Sequence, residues 1–487
     1  MRRSSRHLLI GLALAASLAA CASDEVVEEE VSSWNHTPSG KTDGPIEQAS
    51  PTGLDVSETD TNAHWGLDDV EQDTSTDTAG GGPMADTAQD VGPEEPSPLV
   101  VPEFSEEPPA SCAAADASQW YFQFLDNLCD DKFDPSSLDR ERACAAEDSS
   151  AEMQLQDGTW VTYYPSGQAP AWDTTSLAGL VPDSMEISVI LIKRVNGVPH
   201  YRYLSNGRHD VSFQPWSTTK VLAAANAGSY LRLESNGEVG LDANAGSLKL
   251  GDLVTSLVNY DNQPYTSNGL GAYFHHVGGR QRADDLIGPL WLNRPETETF
   301  GGNYGDSVPP VGYTYTAPNG AELTITPDQT GGYANHLSTA TLAEAVKRLV
   351  LHREEPAQRL PGLDWKDVQV LLYGAEDSAS KGSWGGMSAD TAVYLQTGHD
   401  MDYIEERSQG EWMTFSKLGL GTKGQFVHMG YACFPVLDDA GQAVTGHGRE
   451  FVIAAHLKEG GGGWVGRDRE LARIYRRIEL RIVDGRL

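Results

Sequence analysis

The sequence predicts an α+β domain, and three stretches carry that prediction. Residues 185–192 are apolar and β-branched, Asn196-Gly197 follows as a turn, and residues 200–204 are again strand-like, which together read as a β-hairpin. Ser217 then precedes Val221-Leu222-Ala223-Ala224-Ala225, a run of helix formers. Near the end, residues 425–431 and 450–456 read as strands. A helix follows over about residues 468–483, with Leu471, Ile474, Tyr475, Ile478 and Ile482 at helical spacing.

The chain opens with a targeting signal. Arg2, Arg3 and Arg6 form a basic start, residues 8–18 a short apolar core, and Leu18-Ala19-Ala20 places small residues before Cys21. The core is short for a membrane span. This stretch resembles the lipobox of bacterial lipoproteins. The resemblance implies removal of residues 1–20, lipid on Cys21, and a place in the bacterial cell envelope. With Ala22 rather than Asp after the cysteine, the outer membrane is expected, facing the periplasm or the cell surface.

Residues 21–110 read as an acidic disordered tether. Positions 22–110 hold 22 acidic residues against one lysine, Lys41, with much Pro, Gly, Ser and Thr and no sustained period. Such a chain spans roughly 50 Å root-mean-square before charge repulsion extends it. The formal net charge is −35. About −17 of it stays on residues 111–487, which argues against a nucleic-acid partner.

Residues 111–180 are expected to form a cysteine-containing extension, and 181–487 the main domain. Four cysteines remain after Cys21, namely Cys112, Cys129, Cys144 and Cys433. An even number in an exported chain suggests two disulfides. Three pairings are open, and Cys112–Cys129 with Cys144–Cys433 is preferred. No Cys or His cluster has zinc-ligand spacing, and neither a metal nor another cofactor is expected.

Trp216-Ser217-Thr218-Thr219-Lys220 holds a serine and a lysine three apart, so both fall on one helix face. A neutral amine there can take the serine's proton and make the hydroxyl a nucleophile. At a helix start the serine also lies beside unpaired backbone N–H groups. A second copy, Ser378-Ala379-Ser380-Lys381, precedes Gly382, Gly385 and Gly386 and has no helix to sit on, so Ser217 is the candidate. A helix follows over residues 250–258, ending at Tyr260-Asp261-Asn262, where Tyr260 and Asn262 can both face a cleft. Ser267-Asn268 is an alternative without that two-residue spacing. Residues 279–335 form a long stretch rich in Gly, Pro, Tyr and Thr. It has a hairpin expected around Pro318-Asn319-Gly320, and its length suits a lid or binding loop. A helix resumes over 338–352, with Thr341 and Glu344 as its expected capping box. Phe415-Ser416-Lys417-Leu418-Gly419-Leu420-Gly421 precedes the closing strands.

In this order the Ser217/Lys220, Tyr260/Asn262 and Lys417/Gly419 pairs resemble the signature set of the penicillin-recognising serine enzymes, which include serine β-lactamases and D-alanyl-D-alanine peptidases. The resemblance covers roughly residues 180–487. It implies an antiparallel sheet flanked by helices, with a mostly helical second lobe. Ser217 would form an acyl-enzyme and Lys220 would be its base, in a site that lowers the lysine's pKa. Tyr260 would pass a proton to the leaving group, and Asn262 would orient Lys220 or the substrate amide. Lys417 would serve Tyr260 or a substrate carboxylate. The oxyanion hole would come from the amides of Ser217 and Leu420, with Gly419 in the same strand segment.

Two departures narrow the expectation. Leu418 stands where the family usually has Thr or Ser, and residues 279–335 lack the Glu-x-x-Leu-Asn loop of class A β-lactamases. Efficient class A β-lactamase action is therefore not expected. The expected activity is acyl transfer on an amide or ester, with peptidoglycan peptide among the candidate substrates and a lipid anchor joining the protein to membrane. The other reading is a non-catalytic lipoprotein that binds cell-wall peptide or a protein.

Overall fold

The hairpin expected around Asn196-Gly197 lies at the centre of the molecule. Strands β4 (Met185–Val195) and β5 (Val198–Ser205) pair antiparallel, with Val195 opposite Val198. Asn196 and Gly197 both take positive φ, 52° and 76°, as the tight turn demands. The computed structural model describes residue 144 and residues 148–487, apart from 169, 260–263, 303, 306, 376–385, 391–407, 443, 445–448, 459–462 and 484. The expected signal peptide and tether, Cys21, Cys112, Cys129, Tyr260, Asn262, Ser378 and Lys381 lie outside the described residues.

The main sheet has six strands in the order β10-β11-β12-β4-β5-β3, all paired antiparallel. Here β3 is Tyr164–Pro165, β10 Met413–Leu420, β11 Phe426–Phe434 and β12 Arg449–Leu457. Part of the expected N-terminal extension thus supplies an edge strand of the sheet. The preceding strands β1 (Glu152–Gln154) and β2 (Trp160–Thr162) form a small hairpin of their own. Both faces of the main sheet are covered, which explains the unbroken apolar run of β4. Ile190 and Ile192 point into one core, and Ile187, Val189 and Leu191 into the other.

The first core lies between the sheet and a helical lobe. This lobe contains α1 (Lys220–Glu234), α2 (Leu250–Asn259), α3 (Ser267–Gly278), α4 (Arg280–Ile287), α5 (Thr339–Val350) and α6 (Trp365–Tyr373). Helix α1 is buried almost all round, as its Ala-rich sequence allows. The second core is roofed by α7 (Gly463–Val483), whose Leu471, Ile474, Tyr475, Ile478 and Ile482 are all buried, as the helical spacing anticipates. The architecture is therefore α+β, an antiparallel sheet between helices with a mainly helical second lobe.

Residues 279–335 contain α4 and the expected hairpin, formed by β8 (Thr314–Thr316) and β9 (Glu322–Thr324). That hairpin extends the short pair β6 (Asn244–Ala245) and β7 (Leu248–Lys249) into a four-stranded sheet. One expectation fails. Helix α5 is capped by Ser338, whose side chain accepts from the Thr341 amide, and Thr341 lies inside the helix. Glu344 instead accepts from the Tyr203 hydroxyl at 2.6 Å and from Lys347 Nζ at 3.0 Å. A better partner in the sheet overrides the local capping pattern.

Two long-range ties hold the sheet. Arg194, at the end of β4, makes a forked contact with Glu450 of β12 through Nε (2.7 Å) and Nη2 (2.8 Å), and also pairs with Glu354. The Tyr431 hydroxyl of β11 donates to the same Glu450 carboxylate at 2.8 Å. Both Arg194 and Glu450 are buried. The other tie is the Cys144–Cys433 disulfide, with Cα atoms 5.9 Å apart. It matches the preferred pairing for those two cysteines. The bridge closes a loop of 289 residues in sequence, so chain-entropy arguments assign it roughly 5–6 kcal/mol. Cys433→Ser is expected to lower unfolding free energy by about 2–5 kcal/mol in denaturant titration. A midpoint unchanged from the oxidised wild type would show that the bridge contributes nothing.

Candidate active site

Ser217 sits in a 3₁₀ turn, Trp216–Thr219, that runs directly into α1. The backbone N–H of Lys220 donates to the Ser217 carbonyl. In 3₁₀ geometry residues three apart eclipse, so the Ser217 and Lys220 side chains line up more closely than on an α-helix. Ser217 is half-buried, and Lys220 is 1% exposed. A lysine this deep needs polar partners. Its Nζ donates to Ser267 Oγ at 3.0 Å and to Asn268 Oδ1 at 2.5 Å.

Those partners come from the start of α3. Thr266 is its N-cap, with Oγ1 accepting from the Gly269 amide at 3.2 Å. The next two residues therefore open the helix, facing α1. Ser267 Oγ in turn donates to the Leu257 carbonyl at 2.6 Å, which ties α3 to α2. The side chains that meet Lys220 are thus Ser267 and Asn268, the alternative in the sequence. The signal that could have found them is the Thr-Ser-Asn run at a helix start, two residues after Pro264.

Strand β10 closes the other side. A side-chain carbon added at Gly419 would lie 2.7 Å from the Pro215 carbonyl oxygen and 2.9 Å from the Ser217 amide nitrogen. Only glycine lets the strand come this close to the turn that holds Ser217. The approach puts the edge strand, with Leu420 next in line, beside the Ser217 backbone. Lys417 lies two residues back, fully buried, with Nζ on the Leu418 carbonyl at 2.9 Å. Its side chain falls on the sheet face of Met413 and Phe415, which belong to the first core, whereas Leu418 packs in the second core. A residue at 418 therefore faces away from the helical lobe.

The residue before Ser217 is held in an uncommon conformation. Trp216 has φ +51°, a region that costs a bulky side chain of order 1–3 kcal/mol unless its surroundings fix it. Its indole Nε1 donates to Gln425 Oε1 at 2.9 Å, and its carbonyl accepts from Thr219 Oγ1 at 2.9 Å. Among the described residues no group of three or more His, Cys, Asp or Glu could hold a metal ion. Neither glutamate between α4 and β8 reaches this site as a free base. Glu296 is exposed, and Glu298 is buried against Arg294, Ser338 and Thr341.

No family model matches this sequence, and no curated protein matches it. Solved structures do match. A β-lactamase from Burkholderia vietnamiensis is 14% identical, over 65% of this chain and 98% of that one, with a TM-score of 0.37. A class A β-lactamase described as the last common ancestor of Gram-negative bacteria is 16% identical, over 61% and 92%, with a TM-score of 0.31. The chromosome-encoded β-lactamase of Vibrio parahaemolyticus is 11% identical, over 61% and 92%, with a TM-score of 0.32. Identities and TM-scores this low decide nothing about chemistry, which has to come from the side chains.

Proposed function

We propose that the chain is a serine hydrolase working through an acyl-enzyme on a peptide-like amide or an ester. The carrying observation is Lys220, buried one 3₁₀ turn from Ser217 and held by Ser267 and Asn268. An amine gripped by two acceptors is positioned to offer its lone pair to the Ser217 hydroxyl. Ser217 Oγ would attack the carbonyl carbon, and the leaving amine or alcohol would depart with the proton relayed through Lys220. The amides of Ser217 and Leu420 would receive the oxyanion. Lys417 would supply positive charge at the same edge, suited to a substrate carboxylate, and peptidoglycan peptide is the natural candidate.

The experiment is incubation with a fluorescent penicillin and, separately, a fluorophosphonate, followed by peptide mapping. Label on Ser217 supports the enzyme. If folded protein takes up neither probe, the chain is a binder of cell-wall peptide or of a protein.

We also propose that lipid on Cys21 fixes the protein to the bacterial envelope, on the strength of Leu18-Ala19-Ala20-Cys21. Cys21→Ser is expected to move it from the detergent phase to the aqueous phase or to leave uncleaved precursor. Unchanged partition would exclude the anchor.

A further inference from the structure

Tyr304 comes from the long insertion and packs beside Lys220. Its ring centroid lies 5.3 Å from Lys220 Nζ. The ring rests on the backbone of α3 at Gly271. A side-chain carbon there would come within 2.7 Å of the ring and 3.2 Å of Lys220 Cγ. Tyr304, Gly271 and Lys220 therefore form one packed stack. Thr219 Oγ1 already donates to the Trp216 carbonyl, so the Tyr304 hydroxyl, 3.0 Å away, must be the donor to Thr219 Oγ1. Burial pushes the Tyr304 phenol well above its usual range, so it stays protonated and neutral. His275 stacks on the same ring, and burial brings its imidazole down to about 3, so it too is neutral. Neither Tyr304 nor His275 is a charged base, and the aromatic face lies against the amine.

Hydrolysis of an acyl-serine needs a water that can reach both the ester carbon and a base. In that step the water oxygen bonds to the acyl carbon, the carbon–Oγ bond breaks, and one water proton returns to Ser217. The base in this site is Lys220, and Tyr304 covers its flank. We propose that Tyr304 is a positioning residue that shields Lys220 from water, so that the Ser217 acyl adduct is long-lived. This rests on the serine-hydrolase reading above.

The test follows the adduct after a fluorescent penicillin pulse in wild type, Tyr304→Ala, Tyr304→Phe and Gly271→Ala. Wild-type adduct should persist. Tyr304→Ala should release it to water at least about tenfold faster, a small part of the 10²–10⁴-fold that a positioned base supplies. Gly271→Ala, which displaces the ring, should move in the same direction. Tyr304→Phe keeps the ring and should retain the long lifetime, which a purely hydrogen-bonding role would not allow. Equal release from wild type and Tyr304→Ala, both folded by circular dichroism and both labelled, overturns the proposal. If Tyr304→Ala does not fold, Gly271→Ala decides it. Absence of label on wild type from both the penicillin and a fluorophosphonate would instead overturn the serine-hydrolase reading itself.

Discussion

Ser217→Ala is expected to abolish labelling by every serine-directed probe, and Lys220→Ala to slow it by about 10²–10⁴-fold, the usual share of general-base help. The asymmetry follows from the geometry. Without Ser217 there is no nucleophile, whereas without Lys220 the hydroxyl remains and only its proton acceptor is gone. Asn268→Ala should fall between these, because it frees one of the contacts that hold Nζ. Pseudo-first-order labelling rates, measured by in-gel fluorescence on proteins of matched circular dichroism, separate the three. Labelling that survives Ser217→Ala would place the nucleophile elsewhere. Equal rates for wild type and Lys220→Ala would remove the base assignment while leaving the nucleophile intact.

Arg194→Met is expected to destabilise the domain by about 3–5 kcal/mol, because it leaves Glu450 buried without its cation. That is a large share of the 5–15 kcal/mol typical of a folded domain. Replacing both partners, Arg194→Met with Glu450→Gln, should recover a good part of the loss, since the cost arises from the stranded charge more than from the lost attraction. Denaturant unfolding followed by tryptophan fluorescence measures both. A single-variant cost below about 1 kcal/mol would mean that Glu354 and Tyr431 reorganise around the gap, and that the fork is not what ties β4 to β12.

The parts of this molecule legible in the sequence are those with local causes. Asn196-Gly197 between two β-rich runs specifies the central hairpin, and Pro318-Asn319-Gly320 the smaller one. The spacing of Leu471, Ile474, Tyr475 and Ile478 specifies the closing helix. Ser217 and Lys220 were legible because three-residue spacing has a fixed geometric meaning on a helical turn. What escaped depends on contacts between distant segments. Ser267-Asn268 is open in the sequence as an alternative, but that its side chains meet Lys220 follows only from the packing of α3 on α1. Tyr304 lies 84 positions from Lys220 in an irregular segment, so its place over the amine is set by the Gly271 cradle. Ser338 displaced Thr341 as the helix cap because the sheet claimed Glu344 through Tyr203.

The Cys144–Cys433 bridge also has a mechanical meaning. A pull on the residues before Cys144 would reach the domain by two routes, the peptide chain and the sulfur link. The link lands on β11, an interior strand laddered to β10 over Met413–Leu420 and to β12 over Arg449–Leu457. Drawn along its length, such a strand resists in shear, because its ladder bonds on both sides must fail together. The site residues Ser217, Lys220, Ser267 and Lys417 all lie inside the 289-residue loop that the bridge closes. The peptide route leads into that loop, so the sulfur link carries only part of a load, and by that part it relieves the site.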